Sequence, residues 1–305
     1  ALLLSPNSLS ARLRLGKVLA AAGDIGAARV QYEIVLANNE LCGLARLALG
    51  RLYAADGEDK RAFKTMIPLM RKGRYKSQAR LEGAIILARH NRFKKAKRLL
   101  RSLVLFGEDR AKAAYTAGLI ADKEGDLPSA IHAYEEAVIT CPTFPAAWNN
   151  LAIACEKVKM VEKAERAYRA GLSSSPQDLR LSHNFAEFLI KEHRADEAIG
   201  LLAGTEAEKN PAVLSTLGIA YGMKGDDTKA ACLFTKSLQG RPNHGPTLYN
   251  LAVSKFNQGL NSAAYTLLCY ADKAGYDVSP LRAQLGASNR EGIAGHGKKT
   301  RTTVH

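Results

Sequence analysis

The sequence predicts an all-α fold, a solenoid of about eight helix-turn-helix units closed by a C-terminal helix. Three observations carry that reading. Gly16, Gly50, Ala84, Gly118, Ala152 and Ala186 lie 34 residues apart, Gly218 follows after 32, and Ala252 after another 34. A second small-residue series keeps step twelve residues later, at Ala28, Ala62, Ala96, Ala130, Ala164, Ala198, Ala230 and Ala264. Small residues allow helix backbones to approach closely, so two per period describe a helix pair packed on itself and on its neighbour. The third observation is a glycine between the two series, at Gly23, Gly57, Gly125, Gly225 and Gly259, where a helix C-terminus favours the left-handed conformation.

Each unit follows in order. After a lead-in over 1–8, the first unit (9–42) holds Gly16, the Gly23 turn, then Ala28 and Tyr32. The second (43–76) repeats this with Gly50, Gly57, Ala62 and Met66. The third (77–110) has Ala84, Ala96 and Leu100, but Asn91 stands at its turn and no proline closes it. The fourth (111–144) carries Gly118, Gly125, Ala130 and Tyr134, with Pro142 at its end. The fifth (145–178) has Trp148, Leu151 and Ala152, then Ala164, Tyr168 and Gly171, and closes on Pro176. The sixth (179–210), with Ala186, Ala198 and Leu202, is two residues short and ends through Gly204, Thr205 and Glu206. The seventh (211–244) has Gly218, Gly225, Ala230, Phe234 and Pro242, and the eighth (245–278) Ala252, Gly259, Ala264 and Leu268. Residues 279–287 are expected to form a capping helix. The stretch 288–305, rich in Gly, Lys, Arg and Thr, is expected to be a disordered basic tail.

This pattern resembles the tetratricopeptide repeat (TPR) family from about Leu9 to Ser279. The resemblance implies antiparallel helix pairs in a right-handed superhelix, with contacts mainly between neighbouring repeats. It also implies that the first helices line a concave groove through their second, fifth, sixth, ninth, twelfth and thirteenth positions. Read in that register, the partner-binding groove presents Lys112, Tyr115, Asn149, Asn150, Lys157, Arg180, His183, Asn184, Lys191, Tyr249, Asn250 and Asn257. Asn150, Asn184 and Asn250 share the sixth position, which is similar to an asparagine ladder, interrupted by Thr116 and Thr216. An amide both donates and accepts, so it can pair with the backbone of an extended peptide of any sequence, or satisfy neighbouring helix groups. The carboxylate clamp of TPR cochaperones is absent. Its positions read Tyr115, Leu119, Asn150, Arg180 and Asn184 from the fourth unit, and Leu13, Lys17, Ala48, Gln78 and Glu82 from the first.

Charge is uneven. Residues 1–110 carry 22 Lys/Arg against 9 Asp/Glu, while 111–287 carry 18 against 19. The excess concentrates in Arg71, Lys72, Arg74, Lys76, Arg80, Arg89, Arg92, Lys94, Lys95, Lys97, Arg98 and Arg101, with Glu82 the one acid among them. Such a block attracts an acidic protein, a nucleic acid or an anionic lipid surface, or is a solvated face. Only Tyr75 and Phe93 interleave with it, which is sparse for stacking on bases.

No catalytic residue, metal site or cofactor is expected: the seven histidines form no chelating i, i+4 pair with His or Cys, and no glycine loop cradles phosphate. Five widely spaced cysteines without a CxxC pair read as reduced, buried thiols and favour a cytoplasmic location. No run of 18 apolar residues is present. The chain opens on Ala1 and not Met, as a fragment or processed form would, which leaves an upstream signal or anchor open. The function expected is a non-enzymatic protein–protein interaction scaffold holding a protein or peptide segment in its groove. The alternatives are a binder of nucleic acid or anionic lipid through 71–101, or the TPR region of a bacterial secretion or pilus assembly machine.

Overall fold

A computed structural model describes residues 8–101, 103–291 and residue 302. Seventeen α-helices and one 3-10 turn, and no strand, occur among the described residues. The chain divides into two compact units, the first ending at Ala167 and the second beginning at Tyr168, inside a continuous helix.

The first unit holds α1 (Leu9–Ala21), α2 (Ile25–Asn38), α3 (Gly43–Ala55), α4 (Asp59–Arg71), α5 (Lys76–Arg89), α6 (Phe93–Leu100), α7 (Gly107–Glu124), α8 (Leu127–Thr140), α9 (Pro145–Lys157) and the start of α10 (Val161–Ser174). The second holds the rest of α10, then α11 (Leu179–Lys191), α12 (Ala195–Leu202), the 3-10 turn Glu206–Lys209, α13 (Pro211–Lys224), α14 (Asp227–Gly240), α15 (Gly245–Asn257), α16 (Asn261–Lys273) and α17 (Ser279–Glu291). Within each unit, odd- and even-numbered helices pair as hairpins, and first helices touch across pairs: α3 with α5, α5 with α7, α11 with α13, α13 with α15. Each unit therefore has a face built from first helices alone.

Local chemistry fixes the helix ends. Ser8, Asp24, Asp126, Asp178, Asn210 and Asp226 each accept a backbone N–H of the following turn through the side chain. Proline stands in the first turn of α8, α9, α13 and α15, where its missing N–H costs nothing. The turn between paired helices has positive φ in all eight pairs. Glycine fills it at Gly23, Gly57, Gly125, Gly225 and Gly259; Asn91, Lys159 and His193 fill it in the other three.

Both small-residue series are buried throughout. The glycines of the first series face the large side chain of the paired second helix. A Cβ added at Gly50 would fall 2.5 Å from Met66, and one at Gly218 would fall 2.6 Å from Phe234. In the last pair, Ala264, Leu268 and Ala271 pack with Val253 and Phe256, and α17 covers them through Leu281 and Leu285. The third and sixth pairs are the irregular ones. Their second helices, α6 and α12, have 8 residues where the others have 13 or 14. After α6 the chain leaves the helix over 103–106, and Leu100 is half-buried where Tyr134 or Phe234 is fully covered.

The terminal helix α17 continues past 287 to Glu291, and the remainder of the tail lies outside the described residues except for Thr302. The cysteines differ from the buried set expected. All five are free thiols, but only Cys155 is buried and Cys232 is exposed. Cys42 and Cys141 occupy helix caps, where side chains reach solvent.

Candidate functional site

On the first-helix face of the first unit, α5 and α7 border a recess of about 530 Å³. Ile85, Leu119, Ile120 and Phe144 give it an apolar floor, while Arg89, Lys112 and Lys123 stand at its margin. Tyr115 is the central side chain. Its ring lies 4.9 Å from Phe144 and 5.8 Å from Tyr134, centroid to centroid. Its hydroxyl accepts a hydrogen bond from Asn150 Nδ2 at 3.1 Å, which ties α9 to α7. Burial holds the neighbouring Tyr134 phenol well above the usual tyrosine range, so it stays neutral.

The expected groove residues divide into surface and interior. Lys112 and Lys157 are exposed on α7 and α9, and Lys157 pairs with Asp122 at 2.7 Å. Asn150 is half-buried and bonded to both Tyr115 and Asn149. Asn149, expected at the surface, is only 4 % exposed.

In the second unit, Arg180 and Lys191 are exposed on α11, with His183 and Asn184 half-buried between them. His183 Nε2 meets Thr216 Oγ1 of α13 at 2.9 Å. The Thr216 hydroxyl gives its proton to the Ala212 carbonyl at 3.2 Å, so the imidazole donates from Nε2. Tyr249 is buried with its ring 5.3 Å from Tyr276, and Asn250 is 1 % exposed. The asparagine register thus mixes positions that a partner can touch with positions sealed by the next helix. Asn257, at the end of α15, is half-buried.

The basic block also divides. Arg80 donates to the Met70 carbonyl at 3.0 Å, closing the C-terminus of α4. Arg89 bonds Asp59 at 2.7 Å, and Lys97 pairs with Glu124. Arg71, Lys72, Arg74, Lys76, Arg92, Lys94, Lys95 and Arg98 form no ion pair among the described residues. Arg92, Lys95 and Arg98, with Lys60 and Lys64, surround a second recess of about 740 Å³ floored by Phe63, Ile67, Ile86, Leu87 and Leu99. Sequence reasoning identified the cations but missed these apolar floors. Their residues are ordinary core types, so nothing in the sequence pattern marks them as lining a recess.

A family model described as tetratricopeptide repeat matches residues 13–66, 81–145 and 115–179. The chain belongs to the tetratricopeptide repeat family. Its fold is the all-α TPR solenoid. Protein FlbA of Caulobacter vibrioides is 28% identical over 154 residues, covering 50% of this chain and 26% of that protein. The chain thus spans about a quarter of the curated relative it matches. Among solved structures, PilF of Pseudomonas aeruginosa is 16% identical with a TM-score of 0.55, covering 63% of this chain and 88% of PilF. A TPR protein from Parabacteroides merdae is 14% identical with a TM-score of 0.52, covering 86% of this chain and 98% of that one. At these identities the likeness is one of fold.

No group of three or more potential metal ligands occurs among the described residues, and no described helix is long and apolar enough to cross a membrane.

Proposed function

We propose that this TPR array is a non-enzymatic scaffold that holds a segment of a partner protein on its first-helix face, within a multiprotein assembly. The recess between α5 and α7 carries the reading. Its apolar floor of Ile85, Leu119 and Phe144 suits one or two apolar side chains, and Lys112 and Lys123 suit acidic neighbours. The polar group beside it, Tyr115 with Asn150, can exchange its internal hydrogen bond for one to a peptide backbone. An acidic-apolar segment is therefore the partner chemistry that fits. Five free thiols accord with a reducing compartment, so a cytoplasmic location belongs to the same reading.

The test is affinity capture with the intact array, followed by crosslink mapping and by the exchange of Lys112 and Lys123 for Glu. The captured segment should crosslink beside α5 and α7, and the double exchange should slow its association. Crosslinks elsewhere, with association unchanged in the double variant, would overturn the placement.

A second reading rests on the unpaired cations from Arg71 to Arg98. They are available to nucleic acid or anionic lipid, and binding through them would fall steeply with salt.

A further inference from the structure

The first-helix face of the second unit already holds one residue of the chain's own C-terminal region. Asn257, the last residue of α15, meets the backbone of Thr302 at two points. Asn257 Nδ2 donates to the Thr302 carbonyl at 2.9 Å, and the Thr302 N–H donates to Asn257 Oδ1 at 3.1 Å. The Thr302 hydroxyl donates to Gln284 Oε1 of α17 at 2.5 Å. Every polar group of one residue, main chain and side chain, is thus engaged by two amides.

We propose that Asn257 and Gln284 form a clamp for one hydroxyl-bearing residue of an extended peptide, and that the chain's own Thr302 is its occupant. The clamp deepens the scaffold reading and rests on it for peptide as the ligand class.

Three features make this a built site. The orientation of the Asn257 amide is dictated, because its Nδ2 also donates to Asp227 Oδ1 at 3.1 Å. A carboxylate only accepts, so the NH₂ group must face Asp227 and the Oδ1 must face the peptide N–H. The frame beneath it is pinned as well. Gln258 Nε2 donates to the Asp227 carbonyl at 2.8 Å, which locks the end of α15 onto the start of α14. Gln284 comes from α17, whose Leu281 and Leu285 are buried in the core of the last pair. Two elements therefore converge on one residue that lies 45 positions beyond Asn257 in the chain, and a third, α14, orients the Asn257 amide.

The chemistry defines what the clamp takes. Paired contacts to N–H and C=O read any backbone except proline, which has no N–H. The Gln284 contact adds a preference for Ser or Thr. The fitting ligand is a peptide segment with a Ser or Thr, and not a proline, at the clamped position. A partner residue of that kind would have to displace Thr302.

The experiment uses the full chain. Amide exchange at Thr302, followed by NMR, should be about tenfold slower than in a synthetic peptide of residues 292–305, as two hydrogen bonds would give. Asn257→Ala should remove that protection. In case the helix end frays in this variant, Thr302→Pro provides an independent reading, since it alters only the tail. The Thr302→Pro chain should bind the labelled 292–305 peptide about tenfold more tightly than the wild-type chain, whose clamp is filled. Equal exchange rates in chain and free peptide would overturn the proposal, as would protection unmoved by Asn257→Ala. Protection that grows with protein concentration would place a second copy's tail in the clamp and overturn the assignment within one chain. Partner capture at the α5–α7 recess is scored separately with Lys112→Glu and Lys123→Glu, so either reading can fail without the other.

Discussion

Gly118 on α7 lies against the ring of Tyr134 on α8: a Cβ built on Gly118 would fall 2.6 Å from both Cδ1 and Cε1. Real Cβ atoms do not approach an aromatic ring so closely. The same relation joins Gly16 to Tyr32, Gly50 to Met66 and Gly218 to Phe234, each pair sixteen residues apart. The small residue and the large one are two halves of one contact. That contact is why the period is visible in the sequence.

Gly118→Ala should therefore destabilise the array by about 1–3 kcal/mol through overpacking, although alanine is the better helix former by about 1 kcal/mol. Gly118→Leu should cost more. Pairing Gly118→Ala with Tyr134→Leu should recover part of the loss, because the smaller side chain leaves room for the methyl group. Thermal melts followed by circular dichroism measure this. A Gly118→Ala melt at or above wild type would show that helix propensity outweighs the contact.

How much was legible follows from the same pair. A contact sixteen residues apart recurs every period, so the fold, the turns and the buried series could be read from spacing alone. Lys159 and His193 continue the Gly125 position by 34 and 68 residues, but without a glycine to mark it no turn residue was named there from the sequence. What periodicity does not carry is how deeply a side chain is covered. Asn149 and Asn250 occupy groove positions by register, yet neighbouring helices seal them. Arg80 and Arg89 count as surface charge in the sequence, while their guanidinium groups are committed to Met70 and Asp59. Thr302 could not be found this way, because its contact with Asn257 spans 45 residues and belongs to no repeat.

Lys159 and His193 hold φ near +60° at turns where five other pairs use glycine. A side chain with a Cβ is strained in that region by about 1 kcal/mol or more. Lys159→Gly and His193→Gly should each raise stability by a net ~0.5–1 kcal/mol, the relief of strain exceeding the added entropy of the unfolded chain. Asn91→Gly should gain less, since asparagine tolerates this conformation. A lower melting temperature in both glycine variants would show that these side chains contribute more than the strain they cause.

Stability should also fall with acidity through His244. Burial, with a smaller contribution from the nearby Arg241, holds its imidazole below the ordinary value of 6.5. Its Nδ1 lies 2.7 Å from the Thr247 hydroxyl at the start of α15. The folded state favours the neutral ring, so its contribution is complete above the unfolded value and is lost as pH drops through the lower folded one. His244→Asn places a side chain able to cap α15 at this position without that titration. Melting temperatures from pH ~7 to ~5 should decline more in the wild type than in the variant. Parallel declines would assign the acid sensitivity to other groups.

The unpaired cations on and beside α6 separate the two functional readings. Arg92, Lys94, Lys95 and Arg98 are exposed and form no ion pair among the described residues, whereas Lys97 is held by Glu124. Reversing those four to Glu, and leaving Lys97 in place, changes the local charge while every existing ion pair stays intact. The melting temperature should hold or rise, because the change relieves repulsion within the block. Partner capture through the α5–α7 recess should persist, with a slower association for an acidic segment. If nucleic acid is the ligand, affinity for unrelated sequences should fall together, and the slope of log affinity against log salt should shrink by nearly one for each phosphate the chain no longer neutralises. A polyanion that binds the reversed chain as tightly, with the same salt slope, would remove the basic block from function and leave the first-helix face as the binding surface.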